Sequence, residues 1–116
     1  MNRVIKFRGW DGEMMFVPSM ITAEGDINRP NGIGIDDWVK AELMQFTGLH
    51  DKNGKEIYEG DIRCGKYYFE TEEQTRFQVM KWDEKNTCFY WDGPEIPGFI
   101  DVEVIGNIYE NPELLK

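Results

Sequence analysis

Thr75-Arg76-Phe77-Gln78-Val79-Met80-Lys81-Trp82, then Asp83-Glu84-Lys85-Asn86, then Thr87-Cys88-Phe89-Tyr90-Trp91, reads as a strand, a turn and a returning strand. The first run alternates well enough for a strand, the last is rich in aromatics, and the run between them is turn chemistry. The same grammar extends in both directions. Ile57-Tyr58-Glu59-Gly60-Asp61-Ile62 is a tight turn that feeds a strand through Arg63-Cys64 and, past Gly65, Tyr67-Tyr68-Phe69. Glu70-Thr71-Glu72-Glu73-Gln74 reads as an acidic loop. Asp92-Gly93-Pro94 and Pro97-Gly98 bracket another loop, and Val102–Tyr109 is the last strand. Asn111-Pro112-Glu113 has a cap, a first-turn proline and an acid in the order of one terminal helical turn. Toward the N-terminus, Val4–Trp10 and Met14-Met15-Phe16-Val17 flank Asp11-Gly12, a hairpin signal, and Pro18 ends the second strand or puts it on an edge. Residues 23 to 37 are rich in Gly, Asn, Asp and Pro and read as a loop or hairpin excursion, with Ile27, Ile33 and Ile35 touching the core. Asp36 or Asp37 could cap a short helix, whereas Leu43-Met44-Gln45-Phe46-Thr47 suits a strand. Many short strands between turn signals make the chain all-β, a small barrel or roll.

The 116 residues carry 13 Lys and Arg against 22 Asp and Glu, a net charge of −9. Residues 1–58 hold 7 basic and 9 acidic side chains, residues 59–116 hold 6 and 13, so the acid is concentrated in the second half. This supports two units with a boundary near Phe46. Hydrophobic residues at 41% and aromatics at 14% exclude a disordered chain. The negative charge argues against a protein that coats phosphates, and no apolar run reaches the roughly 20 residues of a membrane span. The first residues have no signal-peptide pattern, so a reducing cytoplasm and free thiols at Cys64 and Cys88 are expected, each packing as a small hydrophobe in a strand.

Four stretches resemble the YopX-like family of phage and prophage proteins: Ile5–Asp11, Leu43–Ile62, Val79–Asp83 and Glu103–Leu115. The second and fourth are long and specific, and together the four span nearly the whole chain. The resemblance implies an all-β protein: an N-terminal β-hairpin arm with a variable loop over 1–46, and a small SH3-like barrel with a terminal helical turn over 47–116. It implies a phage or prophage setting, hence the cytoplasm of a bacterial host, and carries no activity, cofactor or catalytic residue. The long motif has a sufficient structural reading. Asn53-Gly54 supplies a reversal, Leu49, Ile57 and Tyr58 plug a barrel end, Gly60 permits a close backbone approach, and Asp61 accepts backbone N–H bonds.

Reactive constellations are lacking. Cys64, Cys88 and His50 do not make a zinc set, and their spacing is no redox motif. Ser19 is the lone serine. Asp51-Lys52-Asn53-Gly54 begins like a calcium loop but places Gly fourth, not sixth. The pairs Asp36-Asp37, Glu72-Glu73 and Asp83-Glu84 read as solvated surface. No metal, cofactor or enzymatic activity is expected. The remaining signal is aromatic. Strand alternation puts Phe89 and Trp91 on one face and Cys88 and Tyr90 on the other, and a small barrel cannot hide every ring. The binding candidates are Tyr67, Trp82, Tyr90 and Trp91, facing a protein partner or a second copy. Two alternatives are an acidic DNA mimic, which needs Glu70, Glu72, Glu73, Asp83 and Glu84 in one stripe, and a barrel that stacks on single-stranded nucleic acid, for which too few cations lie near the rings.

Overall fold

The structure, a computed structural model, describes residues 4–30, 37–95 and 102–115. It is all-β, with eleven strands among the described residues: β1 (Phe7–Trp10), β2 (Met15–Phe16), β3 (Met20–Ile21), β4 (Ile27–Arg29), β5 (Asp37–Val39), β6 (Glu42–His50), β7 (Glu56–Tyr58), β8 (Asp61–Phe69), β9 (Glu72–Asp83), β10 (Cys88–Asp92) and β11 (Val104–Asn107). A single 3₁₀ turn follows at Pro112–Leu115. The chain divides into two compact units, Met1–Phe46 and Thr47–Lys116, with the division falling inside β6.

In the first unit β1 pairs antiparallel with β2 and with the first half of β6. The Asp11-Gly12 turn forms as its chemistry dictates. The Asp11 carboxylate accepts the N–H groups of Glu13 and Met14 (2.8 and 2.9 Å), and Gly12 takes φ +103°. Gly9, opposite Phe16 in the ladder, is required there: a β-carbon would stand 2.7 Å from the Phe16 ring. Part of the stretch expected to be loop is strand instead. Ile27 is buried and sits in β4 between β3 and β5, with partners Ile21 and Val39. Cross-strand partners, not local turn residues, decide this segment. Asp37 caps no helix. It begins β5, opposite Arg29, whose guanidinium reaches its carboxylate (3.1 Å) and that of Asp11. Ile33, Ile35, Asp36 and Pro97-Gly98 lie outside the described residues.

The second unit is built on a curled, half-barrel sheet in the order β10-β9-β8-β11. Met80, Ile57 and Val104 form its core, with Phe89, Trp91 and Val102 packed against them. Phe89 and Trp91 do share the inner face, and Cys88 and Tyr90 are exposed. Cys88 is therefore not packed as a small hydrophobe, because the outer face of β10 is uncovered. Leu49 does not plug the barrel end: β6 continues to His50, and Leu49 is exposed there while Ile57 fills the core. The acidic stretch after Phe69 is mostly strand. Only Glu70 and Thr71 turn, and Phe69 pairs directly with Glu72. Glutamates project into water from a ribbon as readily as from a loop, so their polarity did not mark the strand end.

The two long motifs are one physical object. Asp51 is only 7% exposed, yet its carboxylate is satisfied by three backbone N–H groups: Asn53 (2.8 Å) and Lys55 (2.9 Å) on one oxygen, Val104 (3.0 Å) on the other. Lys52 N–H donates to Val102 C=O (2.9 Å) beside it. Gly60, at φ +85°, donates to Met80 C=O (2.8 Å) and accepts from Ile108 N–H (2.9 Å). Asp61 is buried and accepts Tyr58 N–H (2.8 Å), as read from the sequence. Asn107 caps the final turn by accepting from Tyr109 and Glu110.

Burial alone would raise the Asp51 carboxyl; the bonds to Val104, Lys55 and Asn53 outweigh it and hold the group below its ordinary value. Its stabilisation is complete above the usual carboxylate pKa of about 3.9 and is lost as pH falls through the lowered folded value. Asp51→Ala should cost about 3 kcal/mol in urea unfolding at neutral pH. Asp51→Asn should show a flatter stability curve than wild type below about pH 4. Gly9→Ala should lower stability by about 1–3 kcal/mol, because the Phe16 ring must move.

Candidate interaction surface

β8 and β9 are longer than their neighbours. β10 accompanies β9 only as far back as Val79, and β11 accompanies β8 only as far as Arg63. Beyond those points the hairpin continues, among the described residues, as a two-stranded ribbon of residues 64–69 against 72–77. Its turn is tight. Glu70 stands at φ 60° in the first of the two turn positions, where a type II′ turn favours glycine.

The ribbon carries its aromatics into water. Tyr68 is 71% exposed and Phe69 66%, on opposite faces as successive strand residues must be. On the Tyr68 face, Glu73 accepts the Tyr68 hydroxyl (3.3 Å) and pairs with Lys66 (3.7 Å). On the other face, Tyr67 is half-buried with the Arg76 guanidinium 4.9 Å above its ring. Farther along this face, Arg63 lies 4.7 Å over Trp91 and donates from Nε and Nη2 to Gln78 (2.8 and 2.6 Å). Gln78 in turn donates to Pro94 C=O (3.0 Å). Burial pushes the Arg63 guanidinium below its ordinary pKa.

The four aromatics singled out from the sequence do not share a patch. Trp91 packs on the core beneath Arg63, and Tyr67 lies beneath Arg76. Trp82 is partly exposed and meets Phe89 edge-on, with ring centroids 4.9 Å apart. Tyr90 is on the opposite face, beside the Lys81–Asp92 ion pair (2.8 Å). Tyr68 and Phe69, the most exposed rings among the described residues of the unit, carry no sequence signal that separates them from core aromatics. Their exposure follows from where β10 and β11 stop.

Other candidates are dispersed. Cys64 is in β8, Cys88 starts β10, and both are free thiols. His50 ends β6, and the Ser19 hydroxyl donates to Asn28 (2.9 Å). Both oxygens of the calcium-loop-like Asp51 are taken by backbone N–H groups. Among the described residues no three His, Cys, Asp or Glu side chains gather as a metal site, and no helix is long and apolar enough to cross a membrane. In the first unit an open cavity of about 560 Å³ lies against Trp38 and Ile27, with Asp26 and Lys40 at its rim.

A model of the YopX protein family matches residues 6–116. The chain belongs to this family. Protein EF1440 from Enterococcus faecalis, known from a crystal structure, is similar in fold: 25% identity, 99% of this chain and 100% of that chain covered, TM-score 0.67. A comparison with curated proteins finds no match. The family match embraces both long motifs, and their contacts give it a physical meaning: Asp51 to Val104, Lys52 to Val102 and Gly60 to Ile108 hold them together.

Glu70→Gly should relieve the left-handed backbone at the ribbon turn and raise the unfolding free energy measured in urea by about 0.5 kcal/mol once the extra freedom of glycine in the unfolded chain is subtracted.

Proposed function

We propose that this YopX-family chain is a phage- or prophage-encoded, non-enzymatic protein-interaction module of the bacterial host cytoplasm, and that it docks through the β8–β9 ribbon. The observation that carries this reading is the ribbon itself. Tyr68 and Phe69 stand in water on a strand that has no neighbour on its outer side among the described residues. Aromatic anchors and an unpaired strand edge are the two features that strand-adding interfaces use. Tyr67 belongs to this surface, whereas Trp91 packs on the core and Trp82 and Tyr90, both partly exposed, stand on β9 and β10 away from the ribbon. The dispersal of Cys64, Cys88, His50 and Ser19 over separate elements supports the non-enzymatic part.

The acid-mimic reading has less support. Glu72 and Asp83 are eleven residues apart at the two ends of β9, and Arg76 and Lys81 lie between them. Lys66 and Lys81 are paired with Glu73 and Asp92, so the acid is divided rather than striped. Nucleic-acid stacking is supported still less, because the exposed rings at the ribbon end neighbour Glu70, Glu72 and Glu73.

Affinity capture from host lysate with wild type and with the Tyr68→Ser/Phe69→Ser variant tests the reading. A partner, or tagged second copy, should be retained by wild type and lost from the variant, whose circular dichroism should be unchanged. Equal capture by both would remove the ribbon from the interface.

A further inference from the structure

We propose that the occupant of the free β8 edge is the β8 edge of a second copy of this chain, paired antiparallel about a two-fold axis at Tyr67. The proposal rests on the interaction reading above and names the partner.

The backbone groups available on that edge follow from the hairpin. A two-residue turn closes on Phe69↔Glu72, so Phe69 and every second residue before it direct N–H and C=O toward β9. Lys66 and Tyr68 therefore direct theirs away from it. Beyond Arg63 no strand among the described residues takes up these groups.

A two-fold antiparallel pairing must set outward-facing residues opposite outward-facing residues, so the axis passes through a residue and not between two. Cys64 shares this parity, but an axis at Gly65 or farther back would run the second strand into β11, which holds the edge as far as Arg63. Three centres remain. An axis at Lys66 would set the two Lys66 side chains directly opposite each other, like charges in contact. An axis at Tyr68 would bring Glu70 into the ladder, and Glu70 is at φ 60° in the turn, where extended pairing stops. The axis at Tyr67 meets neither obstacle. Lys66 of each copy then pairs with Tyr68 of the other, for four new backbone hydrogen bonds. Phe69 comes opposite Gly65, which has no side chain to oppose it. The ammonium of Lys66 falls toward Tyr68 and Glu73 of the other copy, which lie on its own side of the ribbon. Two identical chains thus present complementary charge at close range, although each carries −9 overall. Because that net charge repels at a distance, added salt should tighten the dimer.

Sedimentation equilibrium of the full chain across micromolar to millimolar concentration is the first test. The mass should rise from 13.6 kDa toward twice that value, at lower concentration in higher salt. Tyr68→Pro removes an outward N–H without touching the β9 ladder, and Lys66→Glu reverses the charge at the contact. Each should shift the midpoint for dimer formation at least tenfold upward. The register is read by single cysteines in a Cys64→Ser/Cys88→Ser background. Tyr67 faces its own copy in a non-hydrogen-bonded pair, the geometry that accepts a cross-strand disulfide, so Tyr67→Cys should cross-link on mild oxidation and Tyr68→Cys should not. A wild-type chain that stays monomeric, a dimer indifferent to both Tyr68→Pro and Lys66→Glu, or cross-linking at Tyr68→Cys alone would overturn the proposal. If the chain is monomeric while lysate capture still depends on Tyr68 and Phe69, the self-pairing falls and the interaction reading survives.

Discussion

The second unit depends on a buried carboxylate that bonds to backbone. Asp51 stands between the β6–β7 turn and the start of β11, fifty-three residues later in the chain, and its oxygens accept N–H groups from both. A buried acid without partners would be costly, and one with three backbone donors is held ionised and in place. With Lys52–Val102 and Gly60–Ile108 beside it, this bond fixes where the last strand joins the sheet. The core of Ile57, Met80 and Val104 closes around that junction.

Among the described residues, this closure leaves the far end of the hairpin without a flanking strand. β11 is committed to Asp51 and to Asp61–Arg63, so it does not follow β8 outward. β10 ends at Asp92, where Gly93 and Pro94 turn the chain and the Pro94 and Glu95 carbonyls accept from Gln78 and Arg76. The ribbon is therefore anchored at its base by the polar network, and among the described residues no strand flanks its tip. An acidic tip keeps the exposed rings soluble, and Lys66 in the middle of the edge discourages indiscriminate strand addition.

Much of the fold was legible because turn chemistry is local. Asp11-Gly12, Asn53-Gly54, Gly60 and Asp83–Asn86 turn where their residue types require it, and the strands between them follow from alternation. Three places were not legible. β4 lies in a stretch of turn formers and is a strand because Ile27 finds Ile21 and Val39 on either side. Asp37 has the chemistry of a helix cap and instead meets Arg29 across a ladder. Glu72 and Glu73 read as loop because a ribbon with water on both faces imposes no hydrophobic alternation. Among the aromatics, Phe89 and Trp91 were correctly given a common face, but the sequence could not rank Tyr68 above Trp91 for exposure.

The sequence alone determined that this chain is all-β, where most of its reversals fall, and which residues of β10 share a side, since these follow from φ preferences and the two-residue period of a strand. The tertiary structure decided which rings are covered. Coverage depends on how far each neighbouring strand extends, and those lengths are set by contacts between residues that are distant in the chain, Asp51 and Val104 first among them.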